Sequence, residues 1–184
     1  MYGIINKSLK DMVLRGFGES TWRQVMDSAG VAEDSFLTMR SYDDQVTFAL
    51  AAATADVLNL TLNDALHAFG VHWVENTLAE QYEVLMQATG SDMGGFLKNL
   101  NVLHDRISST FLNYRPPHFI VEDLDDDAIK VTYVSERVGL TPFFEGVLLG
   151  LSTRFSQPMT IQKVEFIAVE QGEKTEITFV NKSG

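Results

Sequence analysis

The chain has 184 residues, 45% of them hydrophobic, and a formal charge of −11. That length holds one generous domain or two small subdomains on a shared core, while the acidic balance excludes nucleic acid and disfavours an anionic membrane surface, both of which need basic clusters. With no cysteine, disulfides, thiolate zinc sites and thiol nucleophiles are excluded together. This composition fits a reducing cytoplasm, the expected compartment.

In chain order, the start "MYGIINKSLKDMVLRGFG" carries Asp11 among its charges and lacks an apolar run, so it reads as a folded helix and not a signal peptide. Ile4, Ile5, Leu9, Met12 and Val13 keep helical spacing, and Gly16 and Gly18 close the segment. A second helix starts at Ser20 or Thr21 and ends at Gly30. "SYDDQVTFALAAATADVLNL" is a helix opened by Ser41, and "TLNDALHAFGVHWVENTLAEQY" another, capped by Thr61. A fifth runs from about Asp92 to Phe111, with Phe96, Leu97, Leu100, Leu103, His104 and Ile107 on one face. Pro116 and Pro117 stop it. Then the texture changes: a strand, an acidic turn at "DLDDDA" and a second strand, a helix with Pro142 in its first turn, and a last hairpin turning near Gly172. Helices followed by strand–strand–helix–strand–strand predict an α+β fold with a four-stranded antiparallel sheet. The terminal "NKSG" reads as a frayed tail, and no run approaches the ~18 apolar residues of a membrane span.

Few residues carry chemistry. His104 shares an apolar face with Leu97, Leu100 and Ile107, which suits either a core histidine bonded to a carbonyl or a neutral ligand to haem iron. His67 and His72 lie five apart, about 140° around a helix, so they cannot clamp one metal from one face. His118 opens a strand and reads as a surface residue. "DLDDDA" lacks the alternating ligands, glycine and distal Glu of a calcium loop. In "VTYVSERVGL", Tyr133, Ser135 and Arg137 alternate along a predicted strand, a line of about 13 Å suited to a carboxylate or phosphate. A solvated strand face would show the same alternation.

Together, "MYGIINKSLKDMV", "YDDQVTFALAAATADVLNL", "AFGVHWVENT", "FLKNLNVLHDRI", "RPPHF" and "YVSERVGLTPFFEGVLLGL" resemble the haem nitric oxide/oxygen binding (H-NOX) family, which includes the sensor domain of soluble guanylate cyclase. The resemblance covers essentially the whole chain. It implies a single domain over 1–184, with a helical subdomain to about residue 60 and a haem-binding subdomain over 61–184. It implies haem b with ferrous iron held by His104, propionates held by Tyr133, Ser135 and Arg137, and Pro117 pressing the porphyrin out of plane. Ile5, Trp73, Phe143, Val147 and Leu148 match the distal side.

Oxygen-binding members carry a distal tyrosine, which "GLTPFFEG" lacks. The resemblance therefore implies a non-enzymatic nitric oxide sensor that signals by release of His104 and relaxation of the haem, with carbon monoxide an open second ligand. The indole of Trp73 and the phenol of Tyr2 stand as residues that could donate, though their expected role is packing. No output motif occurs in the 184 residues, so the expected readout is a separate protein, a histidine kinase or cyclic-di-GMP enzyme as in stand-alone bacterial members, or a further part of a longer chain. An oxygen sensor of the same family, a haem enzyme and a haem-free interaction domain are the competing readings.

Overall fold

A computed structural model describes residues 1–32, 35–109, 111, 113–124 and 127–181. The first element, α1 (Gly3–Ala29), bends at Gly18, whose φ of 81° and ψ of 176° are non-helical. Glycine reaches that conformation without strain, so the predicted break falls at Gly18, while Gly16 continues the helix. The chain then crosses to α2 (Asp44–Leu58), capped by Asp43 and not by Ser41, because the Asp43 carboxylate accepts from Gln45 N at 2.8 Å.

Thr61 caps α3 (Leu62–His72) as expected. The single helix predicted over residues 61–82 is divided: it widens into a π-helical segment, Trp73–Leu78, then gives α4 (Ala79–Gln81), and α5 (Glu83–Thr89) follows as a further helix beyond the predicted elements. Asp92 caps α6 (Met93–Ser108), which ends before the predicted Phe111. Strands β1 (His118–Asp123) and β2 (Ala128–Ser135) follow, then α7 (Thr141–Arg154) with Pro142 in its first turn, then β3 (Met159–Ile167) and β4 (Glu173–Asn181). The acidic turn and the terminal tail fall partly outside the described residues. The sheet is antiparallel with order β1-β2-β4-β3.

Alternation sorts the strands into two faces. Val131 and Tyr133, Ile177 and Phe179, and Phe119 turn inwards against Leu97 and Leu100 of α6 and Phe144, Leu148 and Leu151 of α7. The outer face carries polar pairs such as Lys130 with Glu122. A second core joins Leu9, Val13, Trp22 and Val25 of α1 to Leu50 and Ala51 of α2. It also takes in Leu66 and Phe69 of α3, so this core extends past residue 60. Leu140 packs against both clusters. No single helix among the described residues is long and apolar enough to cross a membrane.

Candidate functional site

His104 sits on the inward side of α6, half-buried, while Asp105 and Arg106 are exposed on the other side. Its ring centroid lies 5.8 Å from that of Phe119 and 5.9 Å from that of Tyr114. Burial pushes the imidazole below its ordinary pKa, and the Pro117 carbonyl and Asp105 only partly offset this. The ring is therefore neutral at pH 7. Its Nδ1 is buried without a hydrogen-bond partner. Asn101 fixes the spacing between helix and strand: its Nδ2 donates to Phe119 O at 2.6 Å, and its Oδ1 accepts from Phe119 N at 3.0 Å. This clamp holds Pro117 beside the helix that carries His104.

The triplet is arranged differently from a straight strand. Tyr133 and Ser135 are buried at the end of β2, but the strand stops at Ser135 and Arg137 lies in the bend beyond. Ser135 Oγ accepts from Arg137 N at 3.0 Å and shapes that bend. Tyr133 stacks on Phe144 with centroids 5.2 Å apart, and burial pushes its phenol up to about 12. Arg137 donates from Nε to Asp44 at 2.6 Å, from Nη2 to Asp44 at 3.3 Å and from Nη1 to the Arg115 carbonyl at 2.7 Å. A guanidinium has five N–H donors, so two remain for another carboxylate. Arg137 lines an open cavity of about 460 Å³ together with Met1, Tyr42, Asp44, Asn113 and Arg115. Asp44 also bonds the N-terminal ammonium. Sequence reasoning missed Asp44, which looked like a helix-start acid.

The five matched distal residues divide between the two cores. Trp73, Val147 and Leu148 pack with the sheet-side cluster, whereas Ile5 and Phe143 pack with the N-terminal one. The helices that carry them cross closely, because a Cβ on Gly70 would lie 2.0 Å from Phe143 O and one on Gly146 2.0 Å from His67 O. In the stretch 139–148 the only hydroxyl is that of Thr141, and it is already committed. It donates to Glu173, so Thr175 must donate to it. Glu173 also accepts from Gly139 N at 2.6 Å and Thr141 N at 2.9 Å, an anion at the start of α7. Nearby, burial pushes the Glu145 carboxyl up, with His67 acting against it.

Tyr2 lies away from this wall: its ring packs on Phe111 at 4.9 Å, and its hydroxyl accepts from Asn113 N at 3.4 Å. His118 is exposed, and among the described residues no group of three or more His, Cys, Asp or Glu could hold a metal ion.

A polar clasp that the sequence did not suggest joins α1 to α3, the π-helical segment and α4. Ser8 and Thr77 share a buried hydroxyl bond, His72 Nε2 meets Asp11 at 3.1 Å, and Arg15 grips Glu80 with two bonds of 2.7 and 2.8 Å.

These residues fit a haem. A half-buried neutral imidazole with a buried, orphaned nitrogen suits an iron ligand, and a guanidinium with two spare donors beside an open cavity suits a propionate.

The family model described as Haem-NO-binding matches residues 2–163. Soluble guanylate cyclase gcy-32 of Caenorhabditis elegans is 28% identical over 157 residues, covering 84% of this chain and 23% of that protein. Soluble guanylate cyclase 89Db of Drosophila melanogaster is 24% identical over 155 residues, with the same coverage. The chain thus spans about a quarter of the curated relatives it matches.

Among solved structures, an H-NOX protein from S. oneidensis in the Fe(II)NO state aligns with a TM-score of 0.83 at 20% identity over 100% of both chains. An oxygen-binding H-NOX domain in its oxygen complex aligns at 0.85, also at 20% identity, over 100% of this chain and 96% of that one. The two likenesses show one α+β fold and do not choose between gases. The chain belongs to the Haem-NO-binding family, haem-based gas sensors related to the haem domains of soluble guanylate cyclase.

Proposed function

We propose that this chain senses nitric oxide in preference to dioxygen. The carrying observation is the committed hydroxyl of Thr141: with Glu173 and Thr175 as its partners, the apolar stretch around it offers no free hydroxyl. Bound dioxygen is polar and needs a donor, whereas nitric oxide bonds ferrous iron without one. Haem b, when bound, supplies a ferrous iron that takes a diatomic gas.

His104 would hold that iron through its neutral ring, and Pro117 would press on the porphyrin. Tyr133, Ser135 and Arg137 would bind the propionates, with the two spare Arg137 donors meeting one carboxylate. Ile5, Trp73, Phe143, Val147 and Leu148 would form the distal wall and exclude water. Release of His104 would bias a two-state arrangement of α1 against the sheet-side core, to the extent that the ligand prefers one state. Asp44 supports this coupling, because it ties Arg137 to the N-terminal ammonium. A separate histidine kinase or cyclic-di-GMP enzyme would read the shift.

The test is the absorption spectrum of the reduced protein without gas, in air and with nitric oxide. A Soret band that ignores air and shifts with nitric oxide to the five-coordinate form is expected. A stable oxy spectrum would overturn the preference, and the absence of a Soret band after adding hemin would overturn the whole reading.

A further inference from the structure

Tyr114 occupies the turn between α6 and β1, where neither the triplet nor the distal wall gives it a role. Its ring meets the His104 imidazole edge-on, with centroids 5.9 Å apart and an interplanar angle of 78°. On its other side it faces Tyr2 at 6.2 Å. Tyr2 packs edge-on against Phe111 and immediately precedes α1. The next two amides, Gly3 N and Ile4 N, donate to Arg40 O at 2.8 Å and Thr38 O at 3.2 Å. Two rings therefore span the gap from the imidazole to the first turn of α1, on a route separate from both cores. Packed rings have discrete arrangements and do not yield continuously, so an imidazole that swings away removes the edge against which Tyr114 rests.

We propose that Tyr114 is a positioning residue that passes displacement of His104 to the start of α1 through Tyr2. The proposal rests on His104 being the iron ligand. The link is ring contact and not the phenol hydroxyl, so phenylalanine at position 114 preserves it and leucine breaks it.

The experiment is amide hydrogen exchange at Gly3 and Ile4 in the haem-loaded ferrous chain, with and without nitric oxide. Wild type, Tyr114→Phe and Tyr114→Leu are compared. Nitric oxide is expected to change exchange at both amides by about fivefold or more in wild type and Tyr114→Phe. Tyr114→Leu should keep the spectral response and lose the exchange response. Should Tyr114→Leu fail to load haem, Tyr2→Leu cuts the same bridge from the other end and is expected to show the same loss. A leucine variant that keeps the full exchange response overturns the proposal alone. So does a wild-type chain that answers nitric oxide in its spectrum but not at these amides. A wild-type spectrum indifferent to nitric oxide overturns the functional reading, and this proposal with it.

Discussion

Replacing Gly146 by alanine tests the closeness of the crossing of α3 and α7. The added Cβ would lie 2.0 Å from the His67 carbonyl oxygen, 2.9 Å from its carbon and 3.1 Å from Gly70 Cα. A carbon–oxygen contact settles at about 3.3 Å, so α3 and α7 must part by about 1.3 Å at this point. Backbone on both sides leaves no flexible side chain to yield. Overpacking of this kind costs about 1–3 kcal/mol, offset by at most about 1 kcal/mol of better helix propensity. Backbone contact at 2.0 Å puts the cost at the upper end, about 3 kcal/mol, so the net loss of about 2 kcal/mol lowers the melting temperature of a domain this size by about 4–8 °C.

Gly70→Ala meets Phe143 O at the same 2.0 Å and should behave alike. Gly16→Ala is the control, because its Cβ meets nothing within 4 Å and should stabilise by about 0.5–1 kcal/mol. Thermal unfolding of the haem-loaded chains followed by circular dichroism reads all three. If Gly146→Ala melts within about 1 °C of wild type, the crossing is not closed by backbone contact and the reasoning fails.

Three further outcomes are expected. Burial alone would raise the Asp44 carboxyl, but its bonds to Arg137 and the N-terminal ammonium hold it below the usual carboxylate range. Its stabilisation is present above the unfolded value of about 3.9 and lost as pH falls through the folded one. Asp44→Asn should therefore cost about 1 kcal/mol or less at neutral pH and flatten the acid limb of urea midpoints. An unaltered acid limb would contradict the pairing. Burial lowers the His72 pKa while Asp11 opposes it, so stability falls as pH drops through the unfolded value of about 6.5. Asp11→Asn should deepen that loss and move the His72 ring titration lower by NMR; an unmoved titration would show that Asp11 does not hold the ring. His104→Gly should lose its native Soret band and regain one with added imidazole, whereas an unchanged band without imidazole would exclude His104 as the ligand.

Local periodicity made most elements legible, because helix and strand repeats are written within a few residues of each other. The Gly18 break, the helix opened by Asp92 and both hairpins follow from such signals. What escaped the sequence depends on partners far along the chain. Tyr133, Ser135 and Arg137 alternate as a strand would, yet the strand stops at Ser135. Gly172, with φ of 77°, brings its Cα against the Ser135 carbonyl so closely that a Cβ there would lie 2.1 Å away. Glu173 meanwhile draws Gly139 N and Thr141 N towards it.

The bend is thus imposed by a hairpin more than thirty residues downstream. Arg137 likewise finds Asp44 93 positions away, a pairing no local pattern contains. The distal residues show the same limit. The family resemblance groups them as one apolar distal side, but folding assigns Ile5 and Phe143 to one core and Trp73, Val147 and Leu148 to the other. The proposed wall, shared between two cores, would change shape if those cores moved relative to each other, which suits the proposed switch. Its division is a property of how helices from opposite ends of the chain meet, so it becomes visible only in the fold.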